Sequence, residues 1–105
     1  MIYFIQVGDD GPIKIGYASR VSTRIGALQV SNPAPLRLLA STRGELDDEA
    51  RVHRKFAEHR LRGEWFSPVP EILAFCETLE RAAPNRAGIA IWLTMADASA
   101  TPDGS

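Results

Sequence analysis

Six of the side chains able to bind a metal, a proton or an anion stand out by type and position: Tyr3, Lys14, Arg24, Glu49, His53 and Glu64. Arg24 follows Val21 by three residues and precedes Leu28 by four, which puts it on the helix stripe expected to face a sheet. A guanidinium there needs a carboxylate, a carbonyl or a bound phosphate; a structural salt bridge or a snorkelling stem answers as well. Glu49 and His53 are four residues apart and stack one above the other on a helix. Such a pair is either a structural hydrogen bond or a pair of ligands. His59 lies six residues from His53, off its face, which argues against a two-histidine helical metal site. Glu64 precedes Trp65 and Phe66 and reads either as an edge residue or as a metal ligand in a partly dry pocket. The two aromatics are expected in the core in both cases. Lys14, between Ile13 and Ile15, fits the solvent side of a strand, and Tyr3 is equally open.

The elements that must hold these groups follow from pattern and punctuation. Ile2 to Val7 and Pro12 to Tyr17 read as strands of a hairpin around the turn cluster Gly8-Asp9-Asp10-Gly11-Pro12. Ser19 to Ser22 offers caps for a helix to about Val30, with Val21, Ile25 and Leu28 inward, stopped by Asn32-Pro33-Ala34-Pro35. Leu36 to Thr42 is a third strand. A long helix is expected from Leu46 to Leu61, its inward stripe being Leu46, Ala50, Phe56 and Ala57, with Glu49 and His53 on that side. Gly63 breaks it, Glu64 to Phe66 is extended, and Pro68 and Pro70 open a last helix to about Ala82. The expected class is α+β: a small three-stranded antiparallel sheet flanked by helices, over residues 1–83. Residues 84–105 form a C-terminal extension, with an extra strand or loosely held segment at Gly88 to Thr94 and a disordered tail from Ser99.

Composition narrows the options. The chain has 105 residues, 45% hydrophobic and 24% charged, as expected of one globular domain. A single cysteine, Cys76, excludes an intrachain disulfide and a Cys-rich zinc site, and its apolar neighbours make it a buried hydrophobe. No signal peptide or membrane span is expected, so the default location is cytoplasmic. The net charge is −1, yet residues 1–43 hold five Lys/Arg against two acids, and residues 51–62 five against Glu58 alone. A local basic surface can bind phosphate without a basic protein. Arg20, Arg51, Arg54, Lys55, Arg60 and Arg62 are its candidate members.

Taken in order, these residues resemble the GIY-YIG nuclease superfamily, in a short phage and bacterial branch whose second motif reads K-I-G. Ile2-Tyr3 stands for the first motif, without its glycine, and Lys14-Ile15-Gly16 for the second. Arg24, Glu49-x-x-x-His53-x-x-Phe56 and Gly63-Glu64-Trp65-Phe66 follow, so the resemblance spans about residues 1–80. It implies a metal-dependent endonuclease acting on DNA, with Glu64 holding a single Mg²⁺ or Mn²⁺ and no organic cofactor. Arg24 would brace the phosphate. Tyr3 would serve as general base or orient the water, which requires nearby cations such as Lys14 and Arg24. His53 would hydrogen-bond the phosphate or shuttle a proton, Glu49 would orient His53 or Arg24, and Tyr17 would sit at the rim. The alternative is a non-catalytic nucleic-acid-binding module on the same fold. With no separate DNA-recognition module, specificity is expected from a homodimer or a partner protein. The catalytic reading also sets a geometric condition. Paired residues of a hairpin have a constant sum of numbers, and Tyr3 and Lys14 share a face only if that sum is odd.

Overall fold

The computed structural model describes residues 1–82; the segments expected at Gly88 to Thr94 and from Ser99 lie outside them. Strands β1 (Ile2–Val7) and β2 (Ile13–Tyr17) are followed by α1 (Val21–Val30), β3 (Leu36–Thr42) and α2 (Leu46–Lys55). A 3-10 turn, Ala57–His59, then leads into β4 (Arg60–Arg62), β5 (Trp65–Phe66) and α3 (Pro70–Ala82). The class is α+β, as the pattern implies. The antiparallel sheet has five strands in the order β3-β1-β2-β5-β4, not three. Two expectations fail together here. The second helix stops at Lys55 rather than near Leu61, and Arg60–Arg62 pairs with β5 instead of ending a helix. A glycine with φ of +55° at Gly63 lets a two-residue turn fold β4 back on β5, and that pairing outweighs the local helical preference.

β1 is a central strand buried on both faces, which is why Ile2-Tyr3-Phe4-Ile5 is apolar without alternation. Ile2 and Phe4 join Ile13, Ile15, Val52, Phe56, Phe66 and Ile72 in the main core, under α2 and α3. Tyr3 and Ile5 point the other way, into a smaller cluster with Val21, Ile25, Leu28 and Leu36 under α1. Cys76 is buried in the main core, as expected, and burial pushes its thiol up to about 12.

The wheel of α2 differs from the expected one. Val52 and Phe56 are the buried positions. A stripe centred on them turns Glu49 and His53 to its inner flank and expels Leu46, 63% exposed, and also Ala50 and Ala57. The aliphatic Val52 therefore sets the rotation. Reciprocal bonds between Glu45 and Asp48 cap the helix, with three acids in its first turn and His53, Arg54 and Lys55 in its last. By contrast, α1 begins at Arg20 without a side-chain cap, although Ser19 and Ser22 flank it.

The β1–β2 register meets the odd-sum condition: Tyr3 pairs with Gly16, Ile5 with Lys14, and Gln6 with Ile13. Tyr3, Lys14 and Gly16 therefore share the α1 face. A Cβ on Gly16 would lie 2.5 Å from both Cζ and Oη of Tyr3, so the phenol lies flat over a position that only glycine leaves open. Gly16→Ala is expected to lower stability by about 1–3 kcal/mol, the usual range for overpacking. Urea unfolding checks this, and an unchanged midpoint would mean that the ring can move aside.

Candidate functional site at the outer edge of the second strand

The site is built around one peptide. The N–H of Ile15 donates to the backbone oxygen of Glu64 at 2.9 Å, and the C=O of Ile15 accepts from Nε2 of His53 at 2.9 Å. The first bond continues the β2–β5 pairing of Ile13 with Phe66 and Lys14 with Trp65 by one residue. It sets Glu64 opposite Ile15, on the α2 face. Lys14 starts on the α1 face, yet its Nζ reaches Glu64 Oε1 at 2.9 Å around the sheet edge. Lys14 is nearly buried there and Glu64 is 42% exposed, so the carboxylate is open to an incoming group.

Glu49 completes the cluster from α2. Its carboxyl lies close enough to that of Glu64 for the two to interact, and its Oε2 is 3.9 Å from Nε2 of His53. That Oε2 is buried and has no hydrogen-bond partner; the only other such side-chain atom among the described residues is the Tyr3 hydroxyl. Burial, then the neighbouring Glu64 carboxylate, pushes the Glu49 carboxyl above the ordinary range, with His53 and Lys14 pulling the other way.

His53 is engaged at both ring nitrogens. A carbonyl only accepts, so Nε2 carries the proton given to Ile15. Nδ1 faces an Arg60 Nη2 at 3.2 Å, and a guanidinium only donates, so Nδ1 is the acceptor. The ring also stands edge-on to Phe66 at 5.1 Å. His53 thus ties α2 to the peptide of Ile15 and to Arg60, a contact the sequence reading missed. Its signal was present: Arg-Leu-Arg before Gly-Glu-Trp-Phe can be read as the first arm of a hairpin.

The remaining candidates are placed apart. Arg24 is exposed on α1 and makes no ion pair or side-chain hydrogen bond among the described residues. This corrects its expected inward position: at 100° per residue it lies about 65° from the centre of the Val21–Ile25–Leu28 stripe, on the flank. Tyr17 is half-buried against the main core, on the face opposite Tyr3. Trp65 is only half-buried, a second correction, because β5 lies beyond the reach of α1. Of the basic residues, Arg20, Arg54 and Arg62 are exposed. Arg51 lies 3.8 Å from Asp48, Lys55 lies over the rings of Phe56 and Phe75, and Arg60 lies over Phe66. His59 joins Glu58 and Glu71 in a surface network that fastens the 3-10 turn to α3. A cavity of about 570 Å³ lies between the β1–β2 turn, β3 and α3 and is lined by none of the candidates.

The model of the T5orf172 domain matches residues 1–81. The chain belongs to this family. The T5orf172 domain is phage-associated and linked to nuclease-type folds. No curated protein and no solved structure matches the chain. Among the described residues no helix is long and apolar enough to cross a membrane. The match covers β1 through almost all of α3, so every candidate residue of this T5orf172 domain falls within it.

The raised Glu49 carboxyl has a consequence for stability. Its folded pKa exceeds the unfolded 4.5. The stability it contributes is therefore complete below that value and lost as pH rises through the folded value. Glu49→Gln should raise the thermal midpoint at about pH 7 and leave it little changed at about pH 4. Melting curves across this range check the point; a difference independent of pH would assign the effect to packing instead.

Proposed function

We propose that this T5orf172 domain is a metal-dependent endonuclease of the GIY-YIG type that hydrolyses DNA phosphodiester bonds with a single divalent cation. The observation that carries the reading is the carboxyl pair Glu49–Glu64, one of whose oxygens is buried without a partner beside a second, accessible carboxylate. Two facing carboxylates repel unless a proton or a cation lies between them. A hard oxygen donor set with an open side suits Mg²⁺ or Mn²⁺, which keep several waters and accept phosphate oxygens. Glu64 and Glu49 would hold the ion. When bound, it would supply Lewis-acid polarisation of the phosphoryl group and neutralise charge there.

The chain's own residues do the rest. Lys14 holds the Glu64 carboxylate while the site is free, and its ammonium can turn to a phosphate oxygen when substrate arrives. Tyr3 offers a hydroxyl with no protein partner, directly over Gly16 and one residue from the Ile15 peptide. It is free to orient or deprotonate the attacking water. Arg24, exposed and unpaired among the described residues, is free to take a phosphate oxygen with its fork. His53 has a positioning role in this arrangement, since both nitrogens already hold Ile15 and Arg60.

The test is nicking of plasmid and single-stranded DNA with Mg²⁺ or Mn²⁺. Glu64→Ala and Arg24→Ala should each reduce the rate by on the order of a hundredfold or more, as for other preorganised charge stabilisers. Tyr3→Phe should separate function from folding. Removing a buried, unpartnered hydroxyl leaves stability unchanged or raises it by up to about 1 kcal/mol, while cleavage falls. Wild type that binds DNA but never cuts it would replace this reading with a non-catalytic nucleic-acid-binding module.

A further inference from the structure

Among the described residues, the α1 face of the sheet is covered on one half only. Val21, Ile25 and Leu28 pack on Tyr3, Ile5 and Leu36, over β1 and β3. Over β2, β5 and β4 three side chains line up across the strands: Lys14 pairs with Trp65, and Trp65 with Arg62. The register shift between Arg60 and Arg62 sorts the two arginines. Arg60 goes with Phe66 and lies over its ring, on the α2 face. Arg62 goes with Trp65 on the α1 face. The row is thus an indole with a cation on each side. Lys14 Nζ lies 5.5 Å from the Trp65 ring centre, and Arg62 is exposed.

Beside Trp65 is a cavity of about 370 Å³ whose other walls are Val7, Pro12, Asn32, Leu61 and Arg62. Among the described residues no acid lines it, and Leu61 is 57% exposed. Asn32 Oδ1 already accepts the N–H of Ala34, so the group Asn32 has left to offer is its NH₂. The volume, the flat apolar floor, one amide donor and flanking cations match one ligand chemistry: an unpaired base with its two phosphates.

We propose that Trp65, with Leu61 and Asn32, binds an unstacked nucleobase, and that Arg62 and Lys14 take the phosphates on either side of it. This rests on the reading of the chain as a protein that acts on nucleic acid, and it selects single-stranded or locally melted strands over intact duplex. Lys14 then joins the two sites, since the same ammonium touches Glu64 and overlies Trp65.

The chain has two tryptophans, Trp65 and Trp92, so the full-length Trp92→Phe protein reports Trp65 fluorescence alone. It is titrated in EDTA, where cleavage is off, with a single-stranded oligothymidylate, a blunt duplex of equal length, and an abasic oligomer. Saturable quenching by the single strand, with little from the duplex or the abasic strand, is the expected result. In the wild-type background, Trp65→Ala should weaken single-strand binding about tenfold or more, as expected for the loss of one base stack, while Trp65→Phe keeps most of it. Arg62→Ala, at an exposed position that leaves the fold intact, should lower the salt slope of binding by about one. Equal quenching by duplex and single strand, or full affinity in both Trp65→Ala and Arg62→Ala, would overturn the platform. Cleavage without selective quenching would sink the platform and keep the nuclease; selective quenching without cleavage would do the reverse.

Discussion

The peptide of Ile15 is clamped from both sides, by the backbone of Glu64 at its N–H and by the ring of His53 at its C=O. Everything distinctive about the molecule hangs on that double hold. One bond extends the sheet by a single residue and so brings Glu64 to the α2 face. The other ties α2 to the same peptide, one turn of helix from Glu49. A backbone group at a sheet edge would ordinarily be left to water or to another strand. Here the main chain of Glu64 and the imidazole of His53 use it as their common support.

The consequence is a site that straddles an edge rather than filling a cleft. Tyr3 and Lys14 approach from the α1 face, and Glu49, His53 and Glu64 from the α2 face. The Lys14–Glu64 ion pair passes around β2 to connect them. Charge is unevenly satisfied across this edge. His53 is saturated and Lys14 is paired, whereas one oxygen of Glu49 and the hydroxyl of Tyr3 are buried without partners. Unpaired buried polar atoms are costly, and proteins retain them mostly where a ligand completes them. That the two orphans flank the same short stretch of β2 gives the edge its functional character.

Gly16 and Gly63 are the small residues that make this possible, each for a different reason. Gly16 leaves room for the Tyr3 ring, and Gly63 supplies a positive φ at the turn that folds β5 back on β4. Because of that turn Glu64 and Trp65 are adjacent in sequence yet serve opposite faces. Glu64 goes to the carboxyl pair and Trp65 to the row with Lys14 and Arg62. Alternation along two residues thus links the carboxyl pair on one face to the Lys14–Trp65–Arg62 row on the other.

The hairpin, α1, β3 and α3 were legible from the sequence, because runs of β-branched and aromatic residues, proline and glycine punctuation and an apolar stripe are local signals. So were the α+β class and the burial of Cys76. What sequence alone left open was decided by contacts between distant segments. The odd β1–β2 register depends on how the six residues from Val7 to Pro12 close the loop. The rotation of α2 depends on Val52 and Phe56 finding the core, which pulled Glu49 and His53 inward and left Leu46 outside. β4 exists only because β5 is there to pair with it, and Trp65 is half-exposed only because α1 ends its coverage at β1. Arg24, on the flank of a stripe without a fully buried residue, was free to fall outward. Periodicity says which residues share a face of their own element. Packing and register say which faces meet, and the meeting of Glu49 with Glu64 is of that second kind.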